Sequence, residues 1–585
     1  MCGIAGLACK PGVSPDPTLL KAMSAALRHR GPDGMGEYVT DRAALCHRRL
    51  SIIDLAGGAQ PLTLGSIALV ANGEIYNDPA LRQSLPDIHF RTGSDCETPL
   101  ALWPRLGVDY PAALRGMYAI ALLDGSTPAN DIILSRDPFG IKPLYIATYD
   151  GGIAFASEPQ ALLSAGIGAR AVRPEIRDQL LAFQFTFGCE TIYPGIRRLA
   201  PGETLRIVDG RIVERKLHPA MPPRPAGPPL LTSEAAALEQ LDRALIDTVT
   251  AHERADVPFG LFLSGGIDSS SLLAAMVKGG CQKPRAWTAR FDVGCADESR
   301  HAAEIAAAAG ARHEILTIDD DMLWRDLPRI VAAMDDPVAD YAIIPTWFLA
   351  RAARAEATVI LSGEGGDELF AGYGRYRRAT TPWWRGGKMP HRKSAFRGRN
   401  HLARTKSPKP YASSSSGGRM SHLERAQASD ISEWLPNDLL IKLDRCLMAH
   451  GLEGRTPLLD PVMAGFAATL PDHLKIRNGQ GKYLLRRWLQ NNMPAARPFA
   501  PKQGFTVPIG TWIAQKAPAL APLVSRNAGI RAAGQSTKVQ RLFEDAANRR
   551  FGRAAWHLLF YALWHRIHIE GASADGDVFD TLATH

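Results

Sequence analysis

The sequence predicts a two-domain α/β protein, β-rich and layered in its first part and doubly wound around a parallel sheet in its second. Three observations predict it. The chain has 585 residues, and single hydrophobic cores stop growing at about 250–300 residues, so two or more domains are expected. The stretch His218–Pro229, HPAMPPRPAGPP, is dense in Pro and reads as a semi-rigid connector. The hydrophobic texture changes across it. Before it, short β-like runs at Ile67–Ala71, Ala119–Asp124, Ile132–Ser135 and Ile153–Ala156 are punctuated by Gly and Pro. After it, helical stretches at Glu234–His252 and Arg300–Ala309 alternate with apolar strands at Phe259–Leu263, Ala286–Asp292 and Thr358–Leu361. Such βα alternation builds a parallel sheet with helices on both faces. The expected bounds are 2–215 for the first domain, 216–233 for the connector and 234–525 for the second domain. Residues 526–585 form a helical extension, in which Trp556–His568 reads as an amphipathic helix packed on the second domain's core.

Composition excludes several classes. Apolar residues at 46% and charged residues at 22% rule out wholesale disorder and fibrous repeats. No apolar run approaches the ~20 residues needed to span a bilayer, and the N-terminus has no secretory pattern. A cytoplasmic enzyme with no membrane partner is therefore expected. Eight Cys occur without a CxxC, so neither a zinc site nor a disulfide framework is expected. The net charge of +9 is local. Arg375–Arg419 holds 13 Lys/Arg and no acid. The basic insertion, 375–425, is rich in Ser, Gly and Pro and reads as a mobile, solvated loop. A lid over phosphates and a nucleic-acid patch are the sharper alternatives, and nucleic acid is the weaker because no binding motif accompanies the charge.

Cys2 follows the initiator Met. Removal of Met1 would give Cys2 a free α-amine with a pKa near ~8, able to accept the proton of its own thiol. Alone, an early Cys is incidental. Here it is followed by Arg28-His29-Arg30-Gly31-Pro32-Asp33, His47 to Asp54, Asn72-Gly73-Glu74-Ile75-Tyr76-Asn77, Gly93-Ser94-Asp95, Arg136 to Tyr145 and Ala156-Ser157-Glu158. In that order these clusters resemble the glutaminase domain of class II, N-terminal-nucleophile glutamine amidotransferases, as it occurs in asparagine synthetases.

The second part carries Leu263-Ser264-Gly265-Gly266-Ile267-Asp268-Ser269 after an apolar strand, with a helix beginning at about Ser269. Small residues let backbone N–H groups approach phosphate oxygens, and a helix N-terminus favours an anion. The run SGGxDS resembles the PP-loop of ATP pyrophosphatases. Phe291-Asp292-Val293-Gly294 and Ser362-Gly363-Glu364-Gly365-Gly366-Asp367-Glu368 end later strands. Crowding three carboxylates among glycines is costly unless a cation relieves it. Lys442 to Arg445, Arg455 to Asp460, Gly481-Lys482 and Pro501 to Phe505 complete a resemblance to glutamine-hydrolysing asparagine synthetase of the bacterial B type.

That resemblance implies a four-layer αββα Ntn-hydrolase domain followed by a PP-loop synthetase domain. It implies Cys2 as nucleophile and Asn72 with Gly73 as oxyanion hole, a device worth ~3–4 kcal/mol per donor. Strand neighbours face opposite sides, so only one of Arg48 and Arg49 can bind the glutamine α-carboxylate, and the resemblance favours Arg49. Leu50, Ser51, Ile52, Ile53, Glu74 and Asp95 would complete the glutamine site, with Asp95 on the α-amine. ATP would contact Leu263, Ser264, Gly265, Gly266, Asp268, Ser269, Val293, Ser362 and Gly363. Mg²⁺ would sit on Asp268 and Asp367, with Glu364 and Lys482 catalytic in the transfer. The implied substrates are glutamine, aspartate and ATP, and a homodimer is allowed for. The sequence departs from the family at Ala371, at Gly454, which replaces a common β-branched residue and predicts a looser loop, and in its basic insertion. The insertion raises an alternative: the same machinery amidating a different carboxylate, of a peptide, sugar or secondary metabolite.

Overall fold

The structure is a computed structural model that describes residues 2–222, 233–293, 298–381, 392–396, 401–406, 420–501, 507–548 and 550–583. The connector at 223–232, the run 502–506 and most of the basic insertion lie outside the described residues.

Seventeen strands form three sheets among the described residues. In chain order they are β1 Gly3–Cys9, β2 Gly34–Val39, β3 Ala43–Arg49, β4 Leu62–Leu64, β5 Ile67–Ile75, β6 Gly116–Asp124, β7 Asp131–Arg136, β8 Tyr145–Tyr149, β9 Gly152–Ala156, β10 Ile196–Arg198, β11 Glu203–Val208, β12 Arg211–Leu217, β13 Phe259–Phe262, β14 Arg285–Phe291, β15 Arg312–Ile318, β16 Val359–Leu361 and β17 Glu453–Arg455. Two six-stranded antiparallel sheets, ordered β10-β8-β9-β1-β3-β2 and β12-β11-β7-β6-β5-β4, make the N-terminal half. Ile4, Leu45, Val70, Ala121, Leu134 and Phe155 fill the space between them. Helices Pro17–Ala26 and Pro159–Ser164 cover one outer face, and Thr98–Leu106 covers the other. The result is the expected αββα sandwich.

Position in these layers explains the residue choice. β1 is GIAGLAC with every residue buried, because it is central in a sheet covered on both faces and cannot alternate polar and apolar. Strand β2, at the sheet's edge, alternates partly buried and exposed residues.

The second half is a parallel five-stranded sheet ordered β15-β14-β13-β16-β17. Chain order runs outward from β13 to β14 and β15, then resumes on the other side with β16. The carboxyl ends of β13 and β16 therefore flank a topological switch point, where open α/β sheets place their ligands. The helix after β13 begins at Ile267, two residues before the position read from the sequence.

Three expectations are corrected. Residues 554–564 are buried all round, so the C-terminal helix has no polar face. It lies between the halves: His557 Nδ1 pairs with the Leu181 carbonyl of the N-terminal half at 2.7 Å. On its other side Trp556 and Trp564 donate to the carbonyls of Ala339 and Met334. A helix enclosed by two domains needs apolar residues on every side. Gly454 lies not in a loose loop but in buried β17, paired with Ile360. Its missing side chain suits a strand pressed against Leu443 and Leu447. The described parts of the basic insertion are folded: Tyr376, Ala379, Ala395, Phe396 and Leu402 are buried. Their aromatic and apolar side chains supply the contacts that the segment's charge obscures.

Candidate functional site

The two reaction centres predicted from the sequence are built from different elements and meet at one interface. Cys2 stands at the start of β1 and is 8% exposed. Its nitrogen donates to Asn72 Oδ1 at 3.0 Å, and its thiol lies 3.9 Å from the Leu50 carbonyl. Burial pushes the Cys2 thiol above its ordinary range, so a proton acceptor at hand matters. Asn72 Nδ2 is buried without a hydrogen-bond partner among the described residues. One amide thus holds the Cys2 nitrogen with its oxygen and keeps its donor end unspent. Gly73 is sterically required: a Cβ there would stand 2.1 Å from the Met117 carbonyl.

Arg48 and Arg49 diverge as strand neighbours must. Arg48 Nε donates to the Ser24 carbonyl, whereas Arg49 donates to the carbonyls of Asp54 and Leu55 at 2.7 and 3.1 Å. The Arg49 guanidinium thus braces the loop holding Ser51, Ile52 and Ile53. Leu50 and Ile52 are buried beside Met117 and Ile141, and Ser51 N–H donates to Asp33. Asp95 is buried and accepts from Ile75 N–H; burial pushes its carboxyl up to about 6. Glu74 lies 3.3 Å from Arg455 of the second half, and burial, then the charge of Asp95, hold its carboxyl well above the usual range.

The second centre sits at the switch point. Gly265 adopts φ +71°, a left-handed turn suited to glycine, and Ser264 Oγ accepts from Gly266 N–H at 3.2 Å. Ser264 and Ser269 hydroxyls meet at 3.1 Å. The loop after β16 closes against this turn: a Cβ on Gly363 would approach that of Asp268 to 2.8 Å. Ser362 N–H donates to the Arg455 carbonyl, and Val293 follows β14 on the same sheet edge. Lys482, at the head of helix Tyr483–Asn492, joins Asp268 at 2.5 Å and Asp367 at 2.8 Å. Burial opposes its charge, but the two carboxylates outweigh burial and keep it an ammonium.

The three carboxylates crowded in this loop have separate partners. Glu364 faces Lys442 at 3.6 Å, Asp367 faces Lys482, and Glu368 turns away to accept from the Tyr373 hydroxyl at 2.6 Å. Burial, followed by the charge of Asp367, pushes Glu368 up to about 8. Separate partners, two of them lysines, divide the charge.

A group of residues quoted only as motif members proves central. Arg30 is fully buried and donates to the Cys2 carbonyl at 3.1 Å. It also binds Glu158 at 2.7 Å and Asp444 at 2.7 and 3.0 Å. Arg445 joins Asp335, Asp444 and Glu158. Burial opposes ionisation of Glu158, yet His29, Arg445 and Arg30 outweigh it and hold the carboxyl well below its usual range. Removing one member of such a buried network costs ~3–5 kcal/mol, because a charge is left unpaired. Each motif was visible in the sequence, but Arg30 and Asp444 lie 414 positions apart, and nothing local signals their pairing.

An amidotransferase-type sandwich with an N-terminal thiol, joined through buried charges to a PP-loop-type parallel sheet, defines the class of a two-centre, glutamine-fed ligase. Comparison with known proteins agrees. A family model described as glutamine amidotransferase domain matches residues 1–218, and one described as asparagine synthase matches residues 240–566. Asparagine synthetase 1, glutamine-hydrolyzing, of Bacillus subtilis is 32% identical, covering 97% of each chain. Asparagine synthetase B of Escherichia coli is 31% identical, covering 84% of this chain and 79% of its own. The amidase chry2 of Gibberella zeae is 31% identical over 64% of this chain and 60% of its own. The chain belongs to the family of glutamine-hydrolysing asparagine synthetases. No helix among the described residues is long and apolar enough to cross a membrane.

Proposed function

We propose that this protein makes asparagine from aspartate, with glutamine as nitrogen donor and ATP as the activating substrate. Cys2 attacks the glutamine amide and its α-amine passes the thiol proton to the departing ammonia. Water then resolves the thioester to glutamate. Asn72 Nδ2 and Gly73 N–H receive the negative charge that develops on the carbonyl oxygen. Arg49, whose guanidinium has five donors, braces the 53–55 loop and offers its remaining N–H groups to the α-carboxylate. In the other half the aspartate β-carboxylate attacks the α-phosphorus of ATP and expels pyrophosphate. Ammonia then attacks the aspartyl-AMP and expels AMP. Ser264, Gly265, Gly266, Ser269 and Ser362 line the phosphates, and Lys482 neutralises charge on them. Glu364 takes a proton from the incoming ammonia.

Mg²⁺ fits the donor set. It takes one or two carboxylates and completes its shell with phosphate and water, and Asp268 and Asp367 are two carboxylates held together at the phosphate turn. When bound, it offsets charge on the pyrophosphate.

The observation that carries this reading is a continuous apolar cluster between the centres. It contains Leu50, whose carbonyl faces the Cys2 thiol, with Ile52, Met117 and Ile141, and also Leu263 and Leu361, which precede the two glycine-rich loops. Ammonia crossing such a layer is shielded from water, where it would be protonated and inert as a nucleophile. Incubation with glutamine, Mg-ATP and aspartate should yield asparagine, AMP and pyrophosphate in equal amounts. Glutamate without asparagine would replace aspartate by another acceptor carboxylate.

Asp95 adds a pH signature. Its ionised form holds the glutamine α-ammonium, and its carboxyl is pushed up to about 6. As pH falls through that value Asp95 protonates, so the KM for glutamine is expected to rise about tenfold or more, the scale of a lost charged hydrogen bond. Asp95→Asn should be weak at every pH and lose this dependence. A KM that stays flat through pH 6 counts against the assignment.

A further inference from the structure

The described residues of the basic insertion close on a cavity that the reaction above leaves unused. It measures about 210 Å³ and is lined by Arg375, Arg392, Lys393 and Arg553, with Trp434 and Gln184 among its walls. Arg553 belongs to the first turn of the C-terminal helix. Arg375 and Arg392 share one acid, Asp430, at 2.6 and 2.8 Å. The Arg392 guanidinium also lies 3.3 Å from the centroid of the Trp434 ring. Lys393 and Arg553 form no ion pair among the described residues, although the charges of Asp438 and Asp340 act on Arg553. Burial, then the charge of Asp340, holds Asp438 well above the usual carboxylate range, which weakens that compensation. Cations therefore outweigh acids here.

Two chains of contacts lead from this cavity to the carboxylate loop, one through charges and one hydrogen-bonded throughout. Gln184 Nε2 donates to Asp438 at 2.8 Å. Asp438 acts on Lys442, which lies 3.6 Å from Glu364. On the other side Trp434 Nε1 donates to the Tyr373 hydroxyl at 3.2 Å, which in turn donates to Glu368.

We propose that this cavity is an anion subsite that receives a carboxylate or phosphate group of a small molecule, behind Glu364. The guanidinium groups of Arg375 and Arg392 are already oriented by Asp430 and the aromatic rings, so little ordering is lost on binding. Lys393 and Arg553 supply the uncompensated charge. The space admits a small anionic group. The anion is either a distal group of the acceptor or a separate effector. Only that choice rests on the amidation reading.

Titration calorimetry on the full chain at low ionic strength, with inorganic phosphate and with succinate as probes, tests the subsite. Wild type should bind at least one of them saturably. The double variant Lys393→Gln, Arg553→Gln should bind about tenfold more weakly or worse, the scale of lost charge-assisted bonds. Both side chains are exposed, so thermal unfolding should be unchanged. Equal binding by the two proteins, or none by wild type, overturns the proposal; binding at the Ser264–Gly266 turn would survive in the variant. Ammonia-dependent synthesis from aspartate then separates the sources. Phosphate that raises the acceptor KM in wild type alone identifies the acceptor's own anion. Phosphate that changes kcat in wild type alone identifies an effector. Absence of AMP from both proteins defeats the amidation reading and leaves the calorimetry to decide the subsite.

Discussion

Cys2→Ala is expected to abolish glutamine-dependent asparagine formation, by roughly a thousandfold or more, while ammonia-dependent formation persists. The reason is local. The thiol is the only atom of that residue that forms a bond to substrate, whereas the Cys2 nitrogen and carbonyl, held by Asn72 and Arg30, are backbone groups that Ala keeps. The buried network that ties the halves together is therefore unchanged, and the second centre receives ammonia from solvent. Glutaminase, AMP and asparagine assays on one preparation read the split. If ammonia-dependent synthesis disappears too, the two centres are not separable as described. Mass spectrometry gives an independent check, because a retained Met1 would leave the thiol without its own amine as base.

Lys482→Met should do the reverse. Glutamine hydrolysis stays, while pyrophosphate release falls about a hundredfold to a thousandfold with either nitrogen source, the ~3–4 kcal/mol of one preorganised electrostatic contact. Lys482 Nζ contacts both Asp268 and Asp367, so Met also removes a cation from beside the two carboxylates. Pre-steady-state pyrophosphate release separates the chemical step from binding. A loss confined to glutamine-fed turnover would assign Lys482 to communication between the halves instead.

How much of this was legible in the sequence differs by kind of feature. Strands β5, β6, β7 and β9, and the helix Glu234–Glu253, were readable because side-chain periodicity and Gly or Pro punctuation are local. The C-terminal helix was readable as a helix and misread as amphipathic. Its residues gave little polar contrast, and only the packing of both halves around it explains why none was needed. Gly454 was misread for a related reason: a Gly in isolation suggests looseness, but between β16 and the Leu443–Leu447 helical face it suggests close approach. The basic insertion was read from its charge, whereas its described residues are held by Tyr376, Phe396 and Leu402, which charge counting ignores.

The candidate site divides in the same way. Cys2, Asn72, Asp268 and Lys482 were named from motifs, since each motif carries its chemistry in consecutive residues. The sharing of Asn72 between nitrogen capture and an unspent donor, the divergence of Glu364, Asp367 and Glu368, and the bond from Arg30 to the Cys2 carbonyl were not readable.

By itself the sequence determined that there are two domains, that one carries a cysteine near its amino end and that the other carries a glycine-rich turn between a strand and a helix. Hydrophobic period, turn residues and short motifs are properties of neighbouring positions. The tertiary structure alone decided that the two halves share apolar clusters and a buried ionic network, and which acid answers which base. Those are pairings between residues as far apart as Arg30 and Asp444, and they exist only once strand order and helix packing have carried both side chains to one place and removed the water between them.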